Sequence, residues 1–160
     1  MNYTIKISLN SVKPTPFRKF KVSDSITLLD LHYLIQIAFA WQGYHLFNFK
    51  RNGIEFSDDR VISFNESLSH DSCFYEEVLD AEETTLKSLD LKEKERFKYN
   101  YDFGAGWRHT IFIEKIEDSN QTKIEFLSGK GDVPEEDCMG VEAFDKNKIK
   151  QIKENINCNF

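Results

Sequence analysis

Residues 97–116 read Phe97-Lys98-Tyr99-Asn100-Tyr101-Asp102-Phe103-Gly104-Ala105-Gly106-Trp107-Arg108-His109-Thr110-Ile111-Phe112-Ile113-Glu114-Lys115-Ile116. Aromatic rings at Phe97, Tyr99, Tyr101 and Phe103 alternate with Lys98, Asn100 and Asp102, the period of a half-buried strand. Gly104-Ala105-Gly106 ends that run. The glycines supply positive φ for a tight turn. A second strand then runs from Trp107 to Ile116, with Ile111 and Ile113 on one face and Phe112 and Ile116 on the other. Asp102 and His109 therefore flank one glycine-rich turn.

The same period appears elsewhere. Tyr3, Ile5, Ile7 and Leu9 alternate with polar neighbours, and Phe17 to Val22 reads as a second strand after Pro14 and Pro16. Leu28, Leu31, Ile35 and Phe39 are spaced for a helix over about 27–40, with Leu34 and Ala38 widening the stripe. Thr27 and Asp30 make a near capping box. Trp41-Gln42-Gly43 stops the helix, and Gly43 suits a left-handed C-terminal position. Tyr44 to Lys50 reads as a strand, and Asn52-Gly53 is a hairpin turn that pairs Ile54 to Phe56 back.

Residues 57–97 are acidic and less regular, and loops and short strands are expected there. Thr84 to Leu91 suggests one or two helical turns. Lys123 to Leu127 reads as a strand, Ser128 to Gly140 as a loop, and about 141–156 as a short C-terminal helix. The expectation is an α+β fold in one domain over residues 1–160. A curved, largely antiparallel sheet is packed by one main N-terminal helix, with the short C-terminal helix added.

Composition narrows the functional classes. The chain has 160 residues, 40% hydrophobic, 14% aromatic and 30% charged, which is enough for a core and excludes a disordered chain. No apolar run approaches a membrane span, and the N-terminus lacks the apolar stretch of a signal peptide. A cytoplasmic protein with no membrane partner is expected. The net charge is −6. The positive side chains concentrate early, at Lys6, Lys13, Arg18, Lys19, Lys21 and Lys50. A uniform phosphate-binding surface is excluded, and a local basic edge over Lys13, Arg18, Lys19 and Lys21 is the candidate nucleic-acid contact. Cys73, Cys138 and Cys158 are odd in number and fall in no zinc-ribbon spacing. Reduced thiols are the simplest account.

His32, His45, Asp102 and His109 are the candidates for a polar site, with Trp41 and Trp107 beside them. A divalent metal wants several such ligands converging from different elements. It is the one cofactor these residues would take, although the pattern has no HExxH and no local ligand pair. His70 is the fourth histidine, and the carboxylates Glu135, Glu136 and Asp137 could join the set. Neither Gly104-Ala105-Gly106 nor Ser128-Gly129-Lys130-Gly131 has nucleotide-loop spacing. No GxSxG occurs, and no catalytic residue is assigned.

Four ordered segments resemble one family. They are Lys13-Pro14-Thr15-Pro16-Phe17-Arg18-Lys19; Leu31-His32 with Trp41 and His45-Leu46; Tyr99-Asn100-Tyr101-Asp102-Phe103-Gly104 through Trp107 and His109; and Pro134-Glu135-Glu136-Asp137-Cys138. Together they resemble the plasmid pRiA4b open-reading-frame-three family, over nearly the whole chain. Ala105, Arg108 and Met139 depart from the family pattern, and its usual cysteine is missing near Phe126-Leu127. The resemblance implies a compact α+β domain, found on plasmids or near transposons and sometimes labelled TnpR-like. No serine-recombinase motif or helix-turn-helix signal accompanies that label. The reading that follows is a non-enzymatic binding or accessory protein of a mobile genetic element or its host, with another protein as partner. The alternatives are a metal-binding or metal-assisted hydrolase module and a nucleic-acid-binding accessory protein.

Overall fold

A computed structural model describes residues 1–68 and 77–136. Along the chain its elements are β1 (Asn2–Leu9), β2 (Phe17–Ser23), α1 (Leu28–Ala38), β3 (Phe47–Arg51), β4 (Ile54–Ser57), α2 (Asp59–Leu68), β5 (Val78–Asp80), β6 (Arg96–Tyr101), β7 (Trp107–Glu117) and β8 (Glu125–Lys130). The strands form one eight-stranded sheet in the order β5-β4-β3-β6-β7-β1-β2-β8. It does not close on itself, and every pairing is antiparallel except the parallel β4–β5 edge. The fold is α+β, as its alternating patterns require.

The 97–116 run is the β6–β7 hairpin. Tyr99 faces His109 and Tyr101 faces Trp107 across it. Opposed residues share a sheet face, so Phe97, Tyr99, Tyr101, Trp107, His109, Ile111 and Ile113 all point to the core side. Ile116 joins them, against the expected alternation. Thr4 pairs with Lys115 while Ile5 pairs with Ile113, so Glu114 is an extra residue that resets the register. Ile116 thereby packs against the core.

Helix α1 covers that face. Leu28, Leu31, Leu34 and Ile35 are buried with Ile5, Ile7, Phe20 and Phe49. The capping box is present: Thr27 Oγ1 accepts from Asp30 N at 3.0 Å, and Thr27 N donates to Asp30 Oδ2 at 3.1 Å. A box of this kind contributes about 1 kcal/mol. Thr27→Ala should lower stability by about that amount in urea unfolding, and an unchanged midpoint would count against it. At the other end Trp41 N donates to Gln36 O (2.8 Å) and Ala40 N to Ile37 O (3.2 Å), a Schellman ending. Its left-handed residue is Ala40 (φ 57°), two residues after the last helical residue and not Gly43 as the sequence suggests.

Other boundaries also shift. The expected strand from Tyr44 begins only at Phe47, and Ser128 to Lys130 extend β8 where a loop was expected. The helix expected over 27–40 is α1 (Leu28–Ala38), but it is not the one main helix: α2, nearly as long, lies at Asp59–Leu68, where loops and short strands were expected. Asp58 starts α2: its carbonyl accepts from Val61 N (3.0 Å) and Ile62 N (3.1 Å), and its carboxylate from Arg60 N (3.2 Å). Val61 is buried and Phe64 exposed, so the apolar stripe is too thin to read from the sequence. Residues 81–87 cross the start of α1. Thr84 O accepts from Leu28 N, and Ala81 O from Leu29 N, two donors a helix start leaves open. The expected C-terminal helix and all three cysteines lie outside the described residues, as does His70. No helix among the described residues is long and apolar enough to cross a membrane.

Candidate functional site

Trp41 is the hub of an aromatic cluster at the β6–β7 turn. Its ring stacks with Tyr101 (5.3 Å between centroids, 22°), Phe39 (5.6 Å, 29°) and Trp107 (5.9 Å, 30°). It meets His109 edge-on at 5.5 Å. The indole Nε1 donates to Pro134 O at 2.9 Å. The Schellman ending of α1 delivers Trp41 to this place, and the hairpin register delivers Tyr101, Trp107 and His109.

Glu136 closes the cluster. Its carboxylate accepts from Gln42 N and from the Tyr101 hydroxyl. Burial, together with this carboxylate, pushes the Tyr101 phenol well above its ordinary range. Two of the sequence segments thus meet: the Pro134-Glu135-Glu136 run lies across the Trp41–Tyr101 stack. Glu135, one residue earlier, is exposed.

The histidines part company. His32 is buried, stacks on Phe47 at 3.8 Å, and places Nδ1 2.7 Å from the Tyr99 hydroxyl. Gln36 Nε2 donates to the same oxygen at 2.9 Å. Which of the His32 Nδ1 and the Tyr99 hydroxyl donates follows the imidazole tautomer. Burial, reinforced by Arg60, holds His32 well below its ordinary pKa, so it is neutral. Burial likewise raises the Tyr99 phenol well above its range.

His109 lies on the other side of Tyr99, packed by Phe39, Trp41 and Tyr99. Among the described residues no partner lies in hydrogen-bond geometry with either ring nitrogen. Burial pushes its pKa down to about 4, a shift the backbone of Trp107 and Tyr99 opposes in part.

His45 and Asp102 are the pair the fold does bring together. Their Nε2 and Oδ2 atoms stand 3.6 Å apart, and both side chains are partly open to solvent. Asp102 takes a left-handed backbone (φ 54°), and its Oδ1 accepts from Gly104 N and Ala105 N at 3.1 Å each. The turn is therefore held by its own aspartate. It leaves the Phe103 ring 48% exposed at its tip.

Among the described residues no three His, Cys, Asp or Glu side chains converge to hold a metal. Nor do the four basic candidates share a surface. Lys19 and Lys21 face away from α1 and pair with Glu114 (2.7 Å) and Glu117 (2.8 Å). Arg18 points to the opposite side, donating to the carbonyls of Ala38, Lys130 and Gly131 at 3.2 Å. Lys13 sits in the exposed β1–β2 connection beside Thr15. Trp41 is 4% exposed and offers no face to a base. The sequence reading passed over Gln36, which carried a signal because it follows His32 by one helical turn. Glu136 stands in the sequence reading as one of three carboxylates that could join the histidines, but its partners, Tyr101 and Gln42, are too distant in sequence to be read there.

The fold and cluster define a class: an α+β protein with an open, mostly antiparallel sheet, one helix over its core face, and a histidine–aromatic cluster at one hairpin turn. Within that class the chain belongs to the plasmid pRiA4b ORF-3-like family, whose model matches residues 1–155. The uncharacterized protein y4hQ of Sinorhizobium fredii is 32% identical over 139 residues, covering 85% of this chain. This chain spans 66% of that relative's length. The crystal structure of MM3350, a protein of unknown function from Methanosarcina mazei Go1, superposes with a TM-score of 0.68. That match covers 96% of this chain and 80% of the other at 22% identity, a likeness of fold.

Proposed function

We propose that this is a non-enzymatic binding or accessory protein that acts through contact with another protein, serving a mobile element or its host. The observation that carries this reading is the rigid turn at Asp102–Gly106. It presents Phe103 to solvent next in the chain to Asp102 of the His45–Asp102 pair, with the exposed Arg108 just after the turn. Aromatic and arginine side chains on a preorganised support are the composition of an interface anchor. The state of the family-motif histidines supports it as well. His32 is engaged with Tyr99, and His109 is sealed among rings, so neither stands ready to move a proton to a substrate. The metal-assisted reading retains only His45 and Asp102, two ligands where a divalent ion wants more.

Phe103→Ala tests the reading. The ring is about half exposed and caps a turn held by Asp102, so the melting temperature should stay within about 2 °C of the parent. A partner cross-linked through a photoreactive group at Arg108 should be recovered with the parent protein. Its yield should fall at least about tenfold with the variant, the effect of losing one anchor of about 1–2 kcal/mol. An identical cross-linking pattern for parent and variant would remove this surface from the reading.

A further inference from the structure

The face of the sheet turned away from α1 carries a charge opposite to that of the whole chain. Its rows follow from the register. Lys50 lies beside Lys98, which lies beside Thr110, Ser8, Phe17 and Lys130 on successive strands. One row over, Arg96, Phe112, Lys6 and Lys19 are neighbours. Arg108 continues the next row. Lys50, Lys19 and Lys21 are answered by Glu55, Glu114 and Glu117. Lys6, Lys98, Arg96, Arg108 and Lys130 have no acidic partner among the described residues. Outside those pairs, the carboxylates that the register of the described residues puts on this face are Glu125, at the corner beside Lys21, and Asp80, on the far edge strand β5. The chain's net charge is −6, so this basic excess is concentrated where the sheet is open.

Rings are set among the cations. The Arg96 guanidinium lies 4.2 Å over Phe112, and Lys6 Nζ lies 4.4 Å over Phe17. Arg96 is itself exposed, so the outer side of its plane is free to stack.

We propose that this open sheet face binds a single-stranded nucleic acid, with Lys6, Lys98, Arg108 and Lys130 on its phosphates and the Arg96–Phe112 stack under its bases. Charge complementarity selects a polyanion. The half-buried rings select one with flat, unpaired bases, since guanidinium planes and aromatic rings are the platforms on which unstacked bases sit. A duplex hides those base faces and is read by an element that enters a groove. None protrudes from these strands, whose side chains between the cations are short (Thr110, Ser8, Ser128). This surface meets the turn at Phe103 only through Arg108; the Lys6/Lys98 reversal leaves Phe103 in place and Phe103→Ala leaves the cations in place, so the two readings fail separately.

The test is fluorescence anisotropy with a labelled 20-nucleotide oligouridylate and the full chain. Neutralising about four phosphates of a single strand predicts a log–log salt slope near −2.8, or roughly a 50-fold loss of affinity between 50 and 200 mM salt. The double reversal Lys6→Glu/Lys98→Glu should weaken binding at 50 mM salt at least about 100-fold. Lys6→Gln/Lys98→Gln should fall between, with melting unchanged. Lys87→Glu, on the strap over α1, should bind as the parent does. Absence of binding by the parent at 50 mM salt overturns the proposal, and so does binding untouched by the double reversal. Equal affinity for a 20-base-pair duplex overturns the single-strand assignment. Equal competition by polyglutamate reassigns the face to an acidic protein.

Discussion

Acidifying the protein from pH 7 to pH 5 should destabilise it by about 2 kcal/mol through His109 alone, rising to about 3 kcal/mol by pH 4. The unfolded imidazole titrates near 6.5, whereas burial holds the folded one at about 4. Below pH 6.5 the unfolded chain therefore binds a proton that the folded chain refuses, and stability drains away as the pH falls. His32 adds to the loss in the same direction, because its pKa is also lowered by burial. The window from pH 6.5 to 5 isolates the histidines from most carboxylates.

Urea midpoints at pH 7 and pH 5 measure the effect. His109→Phe should remove about 2 kcal/mol of the difference. It should also be close to neutral at pH 7, since among the described residues no partner lies in hydrogen-bond geometry with either nitrogen of His109 and its neighbours are rings. A midpoint that does not move between the two pH values would refute the buried, neutral assignment.

Trp41→Ala should cost about 4 kcal/mol, the largest effect of any single substitution considered. The indole is almost fully buried and is shared by four rings: Phe39, Tyr101, Trp107 and His109. Alanine would leave a cavity between α1's end and the hairpin that the surrounding rings cannot fill without leaving their rotamers. It would also strip Pro134 of its donor and loosen residues 133–136. Trp41→Phe keeps most of the stacking and should cost about 1–2 kcal/mol. Urea unfolding at constant m-value separates these outcomes. Equal midpoints for the alanine and phenylalanine variants would show that a ring at this position contributes little. Limited proteolysis should cut the alanine variant first between 131 and 136.

Much of the architecture was legible in the residues. The period-two runs at 3–9, 17–22 and 97–113 became β1, β2, β6 and β7, and the three-four spacing from Leu28 with the Thr27 box became α1. Asn52-Gly53 is the β3–β4 turn, with φ of 50° and 82°. These are local signals: each depends on side chains within a few residues, and the backbone conformation follows from them. The family was legible for a related reason, since its motifs sit at strand ends and turns where residue type is tightly constrained.

The sequence by itself thus determined the class, the main helix, most strands, the hairpin turns and the family. Everything that depends on register or on distant pairing was decided by tertiary structure. One extra residue at Glu114 sends Ile116 to the core, which no period count reveals. Leu28 N and Leu29 N need the carbonyls of Thr84 and Ala81 before the start of α1 is satisfied. His32, His45 and His109 look equivalent along the chain. The sheet separates them into a hydrogen-bonded, a partly exposed and a ring-packed imidazole, because each meets neighbours far along the chain: Tyr99 is 67 positions from His32, and Tyr101 is 56 from His45. Burial is a property of the packed whole, and so are the charge states it imposes. The basic face is likewise invisible in a net charge of −6, because strand pairing alone sets Lys6, Lys98 and Arg96 on one side of the sheet.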